Sequence, residues 1–256
     1  MRPDTLTPHQ AEVARAFIAE RERERHHLVV YLSGAHAYGF PSPDTDLDLK
    51  CVHVAPTREL VGLDPPAEPG DRIEIVDGVE LDYGSNELAG VLRGCVKGNG
   101  NYLERILGEL VLGGDAALLA EARAIVRPLV SRRIARHYVG FATSQLRAFD
   151  DKPTAKRALY VLRTAATGRH LMLHGELVTD IARLDVGDVA ELLAIKRTGE
   201  RSVLEPVRAA LWRGTLADAI AAIDGTWPAS VLPPEPPADA IAAADAWLRE
   251  LRRTRW

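Results

Sequence analysis

Hydrophobic and polar positions divide the chain into a first half that mixes strands with helices and a second half with helices alone. A β-branched and aromatic run over residues 28–32 and a partly alternating run over residues 47–54 predict two strands. Residues 72–76 and 79–83 flank Asp77-Gly78, a pair typical of a two-residue hairpin turn. The first half therefore predicts a small mixed sheet with helices on one face.

Capping residues mark the starts of helices in the first half. Thr7 is followed by Pro8 in the first turn and by Gln10 at the place of a capping-box partner. Thr57 is predicted to cap a short helix that ends at Leu63. Two further helices are predicted over residues 85–96 and 102–112.

From about residue 115 the periodicity is helical only, and a proline-rich connector at residues 232–239 precedes the last helix. The prediction is an α+β fold with an N-terminal mixed-sheet domain, residues 1–115, and an all-helical C-terminal domain, residues 116–256. The helices predicted in the second domain cover residues 116–126, 131–149, 154–174, 186–198, 203–213, 215–224 and 238–253.

Composition limits the classes of function. The 256 residues are 46% apolar and 27% charged, with a net charge of −4, which is typical of a globular protein and argues against general coating of nucleic acid. A local basic groove remains compatible with this charge. Cys51 and Cys95 are too few for a disulfide framework or a four-cysteine zinc site. The chain shows neither a secretory signal nor an apolar run of about 20 residues, so we expect a cytoplasmic protein that does not span a membrane.

Paired carboxylates are the main chemical signal. Asp46 and Asp48 are two residues apart on a predicted strand, so both side chains project from one face and repel each other. A cation would relieve that repulsion, and Mg²⁺ prefers such oxygen ligands together with water and substrate phosphates. The hairpin strand offers a third carboxylate from Glu80 or Asp82, as a two-metal site would require.

Two other interpretations of the acidic segment are excluded, and a third remains open. An EF-hand loop beginning at Asp44 would need glycine and glutamate where Leu49 and Ala55 stand, so it is excluded. The chain also lacks the glycine- and lysine-containing motif of a phosphate-binding P-loop. A solvated edge strand with protective charges remains open.

Glycines precede the acidic strand. Gly34 and Gly39 would allow the backbone to approach an anion closely, and exposed N–H groups there would bind the β- and γ-phosphates of a nucleotide.

The segment LSGAHAYGFPSPDTDLDL, residues 32–49, resembles the glycine-serine turn and D-x-D strand of the DNA polymerase beta-like nucleotidyltransferase superfamily. It is most similar to the uncharacterised bacterial predicted nucleotidyltransferases of that superfamily. Four later segments are similar to the same narrower group: VELDYGSNEL, KGNGNYLE, KRALYVLRTAATG and LLAIKRTGE.

The resemblance implies a mixed-sheet nucleotidyltransferase domain that uses two Mg²⁺ ions, with Mn²⁺ as an alternative. It would transfer a nucleoside monophosphate from an NTP such as ATP to a hydroxyl acceptor and release pyrophosphate. Asp46, Asp48 and Asp82 would be the catalytic metal ligands, because Asp82 matches the third acidic position better than Glu80.

In the nucleotide-binding turn, the resemblance implies roles for Ser33, Gly34, Ala35 and Gly39. Ala35 departs from the serine that the superfamily usually has after the glycine, so one hydroxyl contact to phosphate is lost there. Ser33 lies two residues away.

Residues in the later segments are candidate nucleotide or acceptor contacts. Lys156, Tyr160 and Arg163 lie on one face of a predicted helix, where the two cations would bind triphosphate and Tyr160 would lie near the base or ribose. An ordinary solvent-exposed face is the alternative. The other candidates for phosphate or acceptor contact are Lys97, Asn99, Asn101 and Lys196. A glycine-rich turn explains the first three equally well, and favourable charge at a helix end is the simpler explanation of Lys196.

The leading hypothesis is therefore a metal-dependent nucleotidyltransferase whose acceptor is a small molecule, an RNA end or a protein side chain. A catalytically degenerate nucleotide-binding or antitoxin-like regulatory protein is the alternative, with Ala35 as its support. A phosphohydrolase that uses the same metals is a third hypothesis.

Overall fold

The structure is a computed structural model that describes residues 5–42, 45–63, 72–198 and 203–256. Asp44, in the acidic segment, and residues 199–200, at the end of the last motif, lie outside the described residues.

The described residues form two compact units. The first comprises those of Met1–Gly34, Asp46–Val130 and Pro236–Trp256, and the second those of Ala35–Thr45 and Ser131–Glu235. This division differs from the predicted boundary at residue 115. The segment that follows Gly34 belongs to the helical unit, and the last helix belongs to the unit with the sheet.

A mixed sheet forms the centre of the first unit. Within the described residues its strands are β1 (His26–Leu32), β2 (Leu47–Val54), β3 (Arg72–Val76), β4 (Val79–Glu87) and β5 (Val111–Gly113). Their order is β3-β4-β2-β1-β5, with β2 and β4 parallel and the other neighbours antiparallel.

The described helices occupy both units. In chain order they are α1 (Pro8–Glu24), α2 (Gly34–Tyr38), α3 (Thr57–Leu60), α4 (Leu88–Val96), α5 (Gly100–Leu107), α6 (Ala116–Val126), α7 (Ile134–Asp151), α8 (Ala155–His174), α9 (Ala190–Thr198), α10 (Pro206–Gly225) and α11 (Ala238–Thr254). Across the part of the chain that the structure describes, every helix is too short or too polar to span a bilayer.

The α+β fold class is confirmed, with a small mixed sheet and helices in the C-terminal part. The capping box of α1 forms, since the Thr7 side chain accepts from the Gln10 amide and the Gln10 side chain binds the Thr7 amide. Asp77 and Gly78 both have positive φ, as the tight turn between β3 and β4 requires.

Two strand segments were predicted as helix. Ser85 to Glu87 continues β4, because these residues pair with β2 in the parallel ladder. Val111 and Leu112, the last residues of the helix predicted over 102–112, instead belong to β5, which pairs with β1 after α5 ends at Leu107. In both places backbone pairing with a neighbouring strand outweighs the local preference for helix.

Two details of the helices also differ. The predicted helices at residues 203–213 and 215–224 are one continuous helix, α10, which accommodates Gly214. Thr57 does not cap α3. Its hydroxyl instead donates to the carbonyl of Arg252, near the end of α11.

The core of the first unit lies between α1 and one face of the sheet. Alternate residues of the strands point toward α1, and the cluster consists of Val13, Ala14, Phe17, Val30, Leu32, Leu47, Leu49, Cys51, Val79, Leu81 and Tyr83. Helices α4 and α5 also pack against β2. Because the apolar residues of β2 and β4 point toward α1, the acidic residues between them lie on the other face of the sheet.

A chain of polar side chains runs through this unit. The Nδ1 atom of His27 lies 2.7 Å from the Oε2 atom of Glu22, and its Nε2 atom lies 2.7 Å from the Tyr83 hydroxyl. Ser85 bonds to Tyr83 and lies 2.9 Å from the Nδ1 atom of His53. One direction of donation satisfies all four contacts, from His53 through Ser85, Tyr83 and His27 to Glu22.

The second unit is a helical assembly. Helices α7, α8 and α10 pack against one another, and α9 packs against α8. The Arg132 guanidinium donates to the carbonyl of Leu232 and ties the start of α7 to the later connector.

Tyr83→Phe tests the buried polar chain. We expect a loss of about 1 to 3 kcal/mol in the free energy of unfolding, because His27 and Ser85 each lose a buried partner. Urea denaturation of the metal-free protein measures this. Tyr102→Phe is the matched control, because the Tyr102 hydroxyl makes no hydrogen bond within the described residues. Equal stability of Tyr83→Phe and the wild type would contradict the proposed continuity of the chain.

Candidate active site

Gly34 lies directly against Asp48. The Ser33 amide donates to the carbonyl of Asp48 at 2.8 Å, which brings the turn onto the start of β2. Gly34 has a φ of +64°, and a Cβ atom at this position would lie 1.7 Å from the Oδ2 atom of Asp48. A side chain at residue 34 would therefore displace the carboxylate.

Asp48 and Asp82 are direct neighbours across the parallel strands β2 and β4. Burial, followed by the charges of Asp46 and Asp82, raises the pKa of Asp48 to about 7, and Asp82 shares a hydrogen bond with it. Asp46 immediately precedes β2. The first unit thus brings the predicted acidic positions together, with strong repulsion at Asp48.

Lys50 partly offsets this repulsion. Its ammonium donates to the Oδ1 atom of Asp82 at 2.7 Å, and both side chains are largely buried. Sequence reasoning assigned no role to Lys50. The available signal was its position two residues after Asp48, on the same face of the strand.

The carboxylate face is open toward β3. Ile73 is paired with Asp82 and Ile75 with Glu80, so both isoleucines lie on the acidic face of the sheet. Their exposed fractions are 68% and 73%. The edge beside Asp82 is therefore accessible and apolar.

The donor set fits Mg²⁺ bound partly by its substrate. Among the described residues, His, Cys, Asp and Glu side chains form no group of three or more arranged to hold a metal ion. Asp48 and Asp82 nevertheless form an adjacent oxygen pair, with Asp46 close enough to raise the Asp48 pKa. Mg²⁺ commonly takes one or two carboxylates and fills its other positions with water and phosphate oxygens.

In the second unit, the segment after the glycine turn packs against the unit's own residues. Ala35 is buried, and its carbonyl accepts from the Phe40 amide. Gly39 has a φ of +86°, and a Cβ atom there would lie 2.3 Å from the Oδ1 atom of Asp180. Close packing against Asp180 therefore requires glycine at residue 39.

Aromatic and cationic side chains hold this segment. The Arg163 guanidinium carbon lies 3.5 Å from the centre of the Tyr38 ring, and the rings of Tyr38 and Tyr160 meet edge to face. The Lys156 ammonium lies 6.0 Å from the Tyr160 ring centre. Arg163 is only 1% exposed, so the predicted polar stripe is not a uniform solvent-exposed face.

Lys196 is also buried, and it donates to the hydroxyl of Ser42. Ser42 in turn bonds to Thr45, so α9 fixes the segment shortly before the acidic strand. Lys196 lies in the last turn of α9 as predicted, and its side chain contacts Ser42, a residue distant in the sequence.

Lys97, Asn99 and Asn101 lie between α4 and α5 in the first unit. Lys97 is exposed at the end of α4. The Asn99 side chain accepts from the amides of Asn101 and Tyr102 and thereby caps α5. The glycine-rich turn therefore accounts for Asn99, while Lys97 and Asn101 are the more exposed members of the group.

Asp48→Asn tests the electrostatic strain. Because the native state holds the Asp48 proton up to a pKa of about 7, stability falls as the pH rises from about 4 to 7. At pH 8 we expect the free energy of unfolding of metal-free Asp48→Asn to be about 1 to 3 kcal/mol higher than that of the wild type. Below pH 4 we expect the two values to be equal. Urea titrations with chelator measure this.

The exposed Glu80→Gln serves as the control on the same face of β4 and should leave stability unchanged at both pH values. A difference between Asp48→Asn and the wild type that did not depend on pH would contradict the electrostatic explanation.

The chain is similar to known proteins. Residues 11–250 match the RNA repair pathway DNA polymerase beta family. An uncharacterized protein from Methanocaldococcus jannaschii is 26% identical over 159 residues, which cover 60% of this chain and 64% of the relative. The chain thus spans less than two thirds of that relative's length.

A solved nucleotidyltransferase-like protein from Exiguobacterium sibiricum 255-15 aligns with 96% of this chain and 80% of its own, at 13% identity and a TM-score of 0.35. The family match covers both strands that bear Asp48 and Asp82 as well as the helices of the second unit. The chain therefore belongs to the RNA repair pathway DNA polymerase beta family, within the superfamily that its acidic motif resembles.

Proposed function

We propose that the protein is a Mg²⁺-dependent nucleotidyltransferase that transfers a nucleoside monophosphate from an NTP to a hydroxyl group of an RNA end. The observation that carries this proposal is the adjacent pair of Asp48 and Asp82 beside Gly34. Membership of the family supports nucleotidyl transfer in general. The family's description as part of an RNA repair pathway favours an RNA end over a small molecule or a protein side chain.

The acidic residues divide the work between them. Asp46, Asp48 and Asp82 would hold Mg²⁺, and Mn²⁺ would be able to replace it at the same ligands. When bound, the metal would neutralise negative charge that develops on the phosphates. Asp82 lies at the open side of the face, beside the exposed Ile73, where it would orient the acceptor hydroxyl and receive its proton.

In the proposed transfer, one bond to the α-phosphorus forms as another breaks. The acceptor oxygen bonds to the α-phosphorus while the bond from that phosphorus to the bridging oxygen breaks, and pyrophosphate leaves with that oxygen. Lys50 would hold Asp82 in place before the substrates bind, because its ammonium is within hydrogen-bonding distance of that carboxylate.

Residues of the second unit would support nucleotide binding in two ways. Lys156 is partly exposed and keeps the role of a candidate phosphate contact, with Tyr160 beside it. Arg163 and Lys196 are buried against Tyr38 and Ser42, which favours a role in positioning the segment 35–45. In the first unit, Lys97 and Asn101 remain candidates for contact with the acceptor.

A degenerate regulatory protein is the second candidate, and Ala35 is the observation that favours it. Alanine has no hydroxyl to offer to a phosphate, and Ala35 is buried. This protein would bind NTP without releasing pyrophosphate. A phosphohydrolase would instead release inorganic phosphate.

Activity assays separate these candidates. With Mg²⁺, α-labelled NTPs and an RNA oligonucleotide that has a free 3′-hydroxyl, the wild type should label the RNA and release pyrophosphate. Asp48→Asn and Asp82→Asn should each reduce the rate by about 10³-fold or more, equivalent to about 4 kcal/mol. Glu80→Gln is the matched control, because Glu80 is an exposed carboxylate two residues from Asp82 on β4.

Labelling of a small hydroxylated molecule or a protein in place of RNA would contradict the acceptor assignment. Equal rates for Asp82→Asn and Glu80→Gln would contradict the assignment of the site. NTP binding without turnover would favour the regulatory protein.

A further inference from the structure

A cavity lies in the first unit, away from the acidic pair. Its volume is about 740 Å³, and it is lined by the end of α1, the end of β2, α3, the start of α4 and the last residues of the chain. His53 lines it and lies five residues after Asp48 on β2, which places the two about 17 Å apart along the strand. We call it the strand-end cavity.

Arg25 in the wall of this cavity is incompletely paired. Its side chain is 16% exposed, and its Nη1 atom is buried without a hydrogen-bond partner within the described residues. The nearest carboxylate oxygen, on Glu24, is 3.9 Å from Nη2. A guanidinium is charged at all physiological pH values and presents five N–H donors, so a buried donor without an acceptor is unfavourable. Arg25 also lines the cavity, so its guanidinium is a candidate donor to an anion there.

Most carboxylates in the wall are already bound by residues that do not line the cavity. These pairs are Glu22 with His27, Glu24 with Arg21, and Glu87 with Arg252. These contacts fix the carboxylates in place, and Glu22 also contacts His26 and Glu24 also contacts Arg25 on the cavity side.

Cations in the wall are less well matched. Within the described part of the chain, Arg23 and Arg93 have no carboxylate oxygen within 4.0 Å of their guanidinium nitrogens, and both side chains are exposed. The Nη2 atom of Arg255 lies 3.6 Å from the Oδ2 atom of Asp115. Glu59 is the remaining acidic residue of the wall. Arg23 and Arg93 are therefore the cations of the wall that are available to an anionic ligand.

Two other side chains suit a nucleotide. Burial, followed by the charge of Arg25, lowers the pKa of His53 to about 4, so this imidazole is neutral and adds no positive charge without a ligand. Its Nδ1 atom is bound to Ser85, which fixes the orientation of the ring. Trp256 lines the cavity with an indole that is 74% exposed and offers a surface on which a base can stack.

We propose that the strand-end cavity binds a phosphate group of a nucleotide, with Arg25 as the buried donor, Arg93 at the rim and Trp256 beneath the base. A free nucleotide and an RNA chain both present this chemistry. The site is separate from the acidic pair and does not depend on the proposed transfer reaction.

Binding without Mg²⁺ tests the proposal. Inorganic phosphate, AMP and a 5′-phosphorylated RNA hexamer are titrated into the full chain by calorimetry, and the His53 ring is followed by NMR as a local reporter. We expect AMP or the RNA to bind and to raise the His53 pKa, because a nearby phosphate stabilises the imidazolium. The Arg25→Gln and Arg93→Gln variants should weaken binding about tenfold and about threefold, respectively.

Arg15→Gln is the matched control, because Arg15 is an exposed arginine of α1 outside the cavity, and its dissociation constant should equal that of the wild type. Arg93→Gln changes an exposed side chain, so it keeps the test decisive if Arg25→Gln fails to fold.

Comparable affinity for AMP and RNA would identify a free nucleotide as the ligand, and much tighter binding of RNA would identify a polynucleotide. Either result supports the site. The proposal is overturned if none of the three probes perturbs His53, or if Arg25→Gln and Arg93→Gln bind as tightly as Arg15→Gln. Absence of nucleotidyl transfer in the activity assay would leave this experiment unaffected, since it uses neither NTP nor Mg²⁺.

Discussion

The parallel pairing of β2 with β4 is the constraint on which the acidic site depends. It sets Asp48 beside Asp82 on one face, while the alternate residues of both strands pack against α1 in the core. A one-residue shift in register would exchange these faces, so burial of the apolar residues holds the two carboxylates together despite their repulsion. Gly34 completes the arrangement, because the turn packs where a Cβ atom would occupy the place of the Asp48 carboxylate.

Much of this arrangement is predictable from sequence, because it follows from local periodicity. The two-residue spacing of Asp46 and Asp48 and the turn at Asp77-Gly78 depend on neighbouring residues alone. Strand β5 is different. It has three residues and becomes a strand through pairing with β1, so its sequence carries little signal.

Buried cations were harder to predict. Arg163 and Lys196 look like solvent-facing residues in a helical pattern, yet both contact residues more than a hundred positions away in the chain. The ion pair of Lys50 was hard to predict for the same reason, since strand pairing brings its partner Asp82 near. In each case a charge is placed by tertiary contacts that periodicity does not encode. The polar chain from Glu22 to His53 likewise links three separate segments.

The metal site that we propose depends on Asp48 and Asp82 together. Titration of Mn²⁺ into the metal-free protein, with the free ion followed by electron paramagnetic resonance, tests it without any assumption about the acceptor. We expect saturable binding that Asp82→Asn weakens at least about tenfold and that Glu80→Gln leaves unchanged. Equal Mn²⁺ affinity in the wild type and Asp82→Asn would contradict it.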